Sequence, residues 1–137
     1  MDPVDYKTVF EQVPGCHILV AANSPRFTIE AVSDSYAEAT FTNKNVIIGE
    51  DFFSVFSDNP DQDKATGMKN LYHSFQQVIQ RGETHKMEVQ KYDVRYFDQE
   101  LFVEKYWDPT NAPVLGSHNR LHILHTVADI TVAMKMH

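Results

Sequence analysis

The stretch Tyr106-Trp107-Asp108-Pro109-Thr110-Asn111-Ala112-Pro113-Val114-Leu115, followed by Gly116-Ser117-His118-Asn119 and the run from Leu121 to Ile130, decides how the rest of the chain is read. Two apolar runs separated by Gly, Ser and Asn predict a β-hairpin, because those residues adopt the turn's backbone angles at little cost. Pro109 and Pro113 fall inside the first strand. Proline removes a ladder donor and fixes φ, so the pair predicts an edge position or a bulge. The second strand ends in Asp129-Ile130-Thr131, and Val132 to Met136 reads as the opening of a helix.

Working back toward the N-terminus, Leu101 opens the strand that reaches Trp107, and Tyr96 to Glu100 turns the chain. Thr84 to Val94 reads as a strand whose apolar phase moves from Met87 and Val89 to Tyr92 and Val94, which predicts a bulge near Gln90-Lys91. Thr66 to Arg81 carries the strongest helical signal. Met68, Leu71, Tyr72, Phe75, Val78 and Ile79 recur on one face at 3.6-residue spacing, and Gly82 supplies a left-handed stop. Ser57 to Asp63 is a polar loop. Glu50 to Phe56 is a short helical piece, Asn43 to Gly49 a connector, and Ser33 or Asp34 caps a short helix bearing Tyr36, Ala37, Ala39 and Phe41. Cys16 to Ala22 and Phe27 to Val32 form a hairpin, the second strand alternating Phe27, Ile29 and Ala31 against Thr28 and Glu30. Asp2 is expected to cap an N-terminal helix with Pro3 at its first position.

Strands, then helical pieces with the longest last, then strands again predict an α+β domain, an antiparallel sheet with helices on one face. In this order the chain resembles a PAS sensor domain over roughly Tyr6 to Thr131. The resemblance rests on Val9-Phe10-Glu11-Gln12-Val13-Pro14 before the first strand, Phe27 to Asp34, Ile48-Gly49-Glu50-Asp51-Phe52 with Val55-Phe56, and the terminal Asp129-Ile130-Thr131. The segment Tyr106 to Val114 is similar to the Tyr-Trp-x-Pro-x-Asn-x-Pro-Val segment of PAS input domains of bacterial sensor histidine kinases. The resemblance implies a five-stranded sheet and a single domain over 1–137: an N-terminal helical cap at 1–15, a PAS core at 16–131 and the start of an output linker at 132–137. It also implies a non-catalytic sensory module, with an effector such as a histidine kinase C-terminal to the core, and Asp129 and Thr131 as the signal relay.

Composition narrows the function classes. A length of 137 residues suits one core, with roughly two thirds of the unfolded surface buried on folding. The net charge of −7 repels phosphate backbones and anionic lipid, so neither nucleic acid nor a membrane surface is an expected partner. The longest apolar run, Ile18 to Ala22, falls far short of the roughly 20 residues of a membrane span, and the N-terminus does not read as a signal peptide. A cytoplasmic protein is expected, in agreement with the lone Cys16.

Aromatic and inward polar residues supply the candidate site. Tyr36, Phe53, Phe56, Leu71, Phe75 and Trp107 are placed near the helix–sheet interface, with Asn111 and His125 as the polar groups of a ligand pocket. His122 and His125 are three apart on a strand, so they point to opposite faces and do not share a metal. His118 lies in the turn, and His17 and His137 are isolated. Haem-binding PAS domains place a histidine on the long helix; His73 is the candidate on that helix but lies opposite the apolar stripe, where it is expected to face water rather than ligate haem. His85 is a weaker alternative. Flavin-binding PAS domains carry an Asn-Cys-Arg-Phe-type motif that has no counterpart here, and Cys16 reads as a small buried hydrophobe. No haem, flavin or metal is therefore expected, and the module is read as binding an unidentified small ligand or a partner.

Two other readings compete. One is a small α+β enzyme of isomerase or hydratase type, using His125 with Asp108 or Tyr106 as acid and base. The other is a dimerising domain with a filled core. A homodimer is expected in the sensory reading as well, because Val4, Phe10 and Val13 at one end and Val132, Met134 and Met136 at the other offer apolar surface.

Overall fold

The computed structural model describes residues 3–62 and 65–136. In chain order its elements are α1 (Tyr6–Gln12), β1 (Cys16–Ala21), β2 (Ile29–Val32), α2 (Asp34–Ala39), α3 (Lys44–Ile47), α4 (Phe52–Val55), α5 (Gly67–Arg81), β3 (His85–Lys86), β4 (Gln90–Lys91), β5 (Val94–Arg95), β6 (Phe102–Val103), β7 (Tyr106–Leu115), β8 (Leu121–Asp129) and α6 (Thr131–Lys135). The expected cap Asp2, together with Asp63 and His137, lies outside the described residues. Asp5 caps α1 instead, accepting from the Thr8 backbone N–H at 3.2 Å and so satisfying a free donor of the first turn.

The antiparallel sheet has six strands rather than five, in the order β2-β1-β8-β7-β3 with β4 also paired to β7, while β5 and β6 form a separate ribbon. The extra strands arise because Thr84 to Val94 is not continuous. His85 and Lys86 face Asn111 and Thr110, whereas Gln90 and Lys91 face Trp107 and Tyr106. Between Lys86 and Gln90 the chain takes four steps against three on β7, so the phase shift in the sequence is a real slip in register. The connector Asn43 to Gly49 contains the short helix α3, capped by the Asn43 side chain.

The prolines do not mark an edge, because β7 lies between β8 and β3. The Pro109 carbonyl accepts from the Met87 N–H at 3.1 Å, so the missing Pro109 N–H faces the same side, at the break between β3 and β4. Pro113, four residues on, faces that side beyond the end of β3. Both missing donors therefore point away from β8, and the β7–β8 ladder runs unbroken through Pro109 and Pro113.

The helices gather on one face and bury Phe27, Phe52 and Phe75 against Ile18, Val20, Ile29 and Ile123. On α5 the buried stripe is Leu71, Ser74, Phe75 and Val78; Met68, expected in it, is exposed. Gly82 ends the helix at φ 65°, a left-handed conformation that glycine adopts freely. In β2 the expected alternation fails, since the pairing shifts between Leu19 and Val20 and turns Ile29 and Val32, not Ala31, inward. Ser33 joins this corner: its hydroxyl accepts from the His17 and Tyr36 backbone N–H groups and donates to the Gly15 carbonyl.

Candidate functional site

Between the sheet and the helices lies a cavity of about 30 Å³, lined by Tyr36, Thr40, Phe52, Phe56, Leu71, Met87, Gln90, Tyr92, Val94, Trp107, Pro109, His125 and Val127. None of these carries a formal charge at neutral pH. Of the residues expected at a ligand pocket, Tyr36, Phe56, Leu71, Trp107 and His125 meet here. Phe53, Phe75 and Asn111 stand behind the lining: Phe75 is fully buried against the rings of Phe27, Phe52, Phe53 and His125, and Phe53 is half-buried among them.

Strand alternation sets the polar part of the site. Trp107, Pro109 and Asn111 on β7, and Ile123, His125 and Val127 on β8, point inward at every second position. Asn111 and His125 are cross-strand partners, and the His125 Nδ1 lies 2.6 Å from Asn111 Oδ1. Asn111 Nδ2 donates to Ser74 Oγ at 2.7 Å and contacts Met87 Sδ at 3.3 Å. Its carbonyl is thus left to face His125 and must accept, so the imidazole carries its hydrogen on Nδ1. Ser74 Oγ is in turn hydrogen-bonded to His85 Nδ1 at 2.6 Å. The result is one chain of hydrogen bonds from the cavity wall through β7 and α5 to half-buried His85. Burial lowers the His125 pKa from 6.5 to about 3, because the charged ring would lose its hydration, so the ring is neutral at physiological pH.

The lining is tied together elsewhere by Tyr92. Its hydroxyl donates to the Phe56 carbonyl, and its own carbonyl accepts from Trp107 Nε1 at 2.8 Å. Gly67 opens α5 directly over this ring: a Cβ there would stand 2.6 Å from Tyr92 Cδ2. Phe52, Met87 and Tyr92 were not among the expected pocket residues; the apolar phase shift through Met87 and Tyr92 was the sequence signal that could have pointed to two of them.

The end of β8 forms a second cluster. Asp129 Oδ1 accepts from the Thr131 N–H at 3.0 Å and from its hydroxyl at 2.6 Å, and Oδ2 accepts from Lys105 Nζ at 2.6 Å. Burial acts to raise the Asp129 pKa, but the bonds from Lys105 and Thr131 outweigh it and hold the carboxyl below its ordinary value. Thr131 Oγ1 accepts from the Tyr106 N–H at 3.0 Å, and the Ile130 N–H donates to the Tyr106 carbonyl at 3.0 Å. The start of α6 is therefore fastened to the first residue of β7, one position from Trp107 in the cavity wall.

Other chemistry finds no comparable site. Asp108 pairs with Lys86 and, like Tyr106, lies on the face of β7 opposite Asn111, so neither joins His125. His122 pairs with Glu30 at 2.7 Å on the outer face, and His73 is exposed on α5. Among the described residues no group of three or more His, Cys, Asp or Glu side chains is placed to hold a metal, and no helix is long and apolar enough to cross a membrane. Cys16 is half-buried on β1, its thiol pKa is pushed up by burial, and it is not part of the cavity lining.

No protein-family model matches this sequence, and no curated protein matches it. Solved structures do. The LOV protein of Rhodobacter sphaeroides is similar with a TM-score of 0.67 at 12% identity, over 90% of this chain and 64% of that one. The chain thus spans less than two thirds of that protein's length. The PAS domain of a protein from Colwellia psychrerythraea gives a TM-score of 0.67 at 10% identity, over 91% of this chain and 93% of that one. The PAS domain of the fruit-fly ELK potassium channel gives 0.61 at 14% identity, over 90% and 93%. Likeness at these identities is one of fold, and the fold of this chain is the PAS fold.

Proposed function

We propose that this chain, whose fold is that of PAS domains, is a non-catalytic sensory input module that binds a small neutral molecule under its sheet and relays the change to an attached effector such as a histidine kinase. The observation that carries this reading is the short path between the two clusters. His125 and Val127 line the cavity, and Asp129 follows on the same strand. Trp107 lines it too, and the adjacent Tyr106 holds Thr131 through its N–H. A molecule that displaces Trp107 or His125 moves the strands whose ends fasten α6, and a two-state junction of that kind biases whatever helix follows.

The module acts as a cytoplasmic homodimer in this proposal. Val4, Tyr6 and Val9 on or beside α1, and Val132, Met134 and Met136 at α6, are exposed apolar side chains, and surface of this type marks association sites. The test is a native mass spectrum and an absorption spectrum of the purified protein. A colourless, non-covalent organic adduct in a dimer supports the proposal. A Soret band, a flavin spectrum or a bare polypeptide mass overturns it.

A further inference from the structure

Two polar atoms of the cavity-lining residues have no partner among the described residues. Tyr36 makes hydrogen bonds through its backbone, and among the described residues nothing bonds to its Oη. The bond to Asn111 is likewise the one hydrogen bond of the His125 ring, and it uses Nδ1, leaving the Nε2 lone pair. Both residues are 4% exposed, and their rings stand edge to face with centroids 6.0 Å apart. Every fully enclosed side-chain N or O atom of the described residues has a partner, so Oη and Nε2 are not sealed in protein, and both residues line the cavity.

We infer that Tyr36 Oη and His125 Nε2 together form a subsite for the hydroxyl group of an uncharged ligand, which donates to Nε2 and accepts from the phenol. This rests on the reading of the cavity as a ligand site and adds the chemical class. The donor–acceptor pattern excludes a group that can only accept. A carboxylate or carbonyl would set its lone pairs against Nε2, whose hydrogen is held at the far side of the ring by Asn111. A cation would be buried in a wall without a counter-charge, and an anion likewise, at several kcal/mol or more in each case. Neither wall group supplies charge: burial keeps the imidazole neutral and raises the phenol pKa further above its ordinary value of 10. The cavity of about 30 Å³ holds the hydroxyl, and the body of the ligand takes its place by re-packing of Met87, an unbranched side chain that adapts readily.

Phenol, toluene and benzoate, three rings differing in a hydroxyl, a methyl and a carboxylate, are titrated into isotope-labelled protein and followed by the His125 imidazole nitrogens and the methyl groups of Leu71, Met87 and Val127. Phenol is expected to shift Nε2 saturably and to bind at least about tenfold more tightly than toluene, as for a site whose buried polar groups are left unpaired by the wrong ligand. Benzoate should leave these resonances unmoved. Tyr36→Phe should reduce the advantage of phenol over toluene without weakening toluene. Equal binding of phenol and toluene, or preference for benzoate, overturns the hydroxyl subsite while the cavity stands as a ligand site. No shift with any of the three overturns both.

Discussion

Acidification should destabilise this protein through His125, and the size of the effect follows from its burial. The folded ring has a pKa of about 3 against an ordinary value of 6.5. Because the folded value is lowered, the unfolded chain takes up a proton first as pH falls. The contribution of the neutral ring to stability is whole above pH 6.5 and is lost progressively from there down to about pH 3. Between pH 7 and pH 5 the linkage amounts to about 2 kcal/mol, roughly a 25-fold change in the folding equilibrium. His125→Asn removes the titration and can still present an N–H toward Asn111. Urea denaturation of both proteins at pH 7 and pH 5 isolates the term, since the other titrating groups are common to both. The wild type should lose about 2 kcal/mol more than the variant over that interval. Equal losses would refute the assignment of a buried neutral imidazole.

Three further outcomes are expected. Phe75→Ala should cost about 3–5 kcal/mol in urea denaturation, because Phe75 is fully buried among four rings, whereas His73→Ala on the exposed face of α5 should be nearly neutral. Gly67→Ala should destabilise by about 1–3 kcal/mol although helix propensity alone favours alanine by about 1, because the new Cβ meets the Tyr92 ring; a rise in Tm would contradict that contact. Deleting residues 1–13 should shift a monomer–dimer equilibrium toward monomer in sedimentation runs at several concentrations, and a monomer throughout, with or without those residues, would remove the dimer from the account.

The parts of this fold that follow from local periodicity were legible. Leu71, Phe75 and Val78 recur at helical spacing on one element, and Gly82 stops it; Trp107, Asn111, Ile123, His125 and Val127 alternate on two strands. What depends on pairing between distant segments was not. The break of residues 84–94 into separate strands is set by where β7 offers partners, and the two prolines are tolerated inside the sheet because the missing donor of Pro109 faces that break and that of Pro113 lies beyond the end of β3. The polar chain was half visible. Asn111 and His125 stand out as inward polar residues, but Ser74 looks like an ordinary interruption of the α5 stripe until folding brings it 2.7 Å from Asn111. Nor could a helix as short as α4, four residues long, tell which of Phe52 and Phe53 reaches the cavity.

The central claim is that filling the cavity changes the junction at Asp129-Ile130-Thr131. Hydrogen–deuterium exchange measures it directly, comparing the protein holding its co-purified molecule with the same protein stripped by denaturation and refolded. Slowed exchange is predicted at the cavity strands, and a change in rate is predicted at the backbone amides of Thr131 to Lys135, outside the cavity. Protection confined to the cavity, with identical exchange at Thr131 to Lys135 in the two states, would contradict the claim.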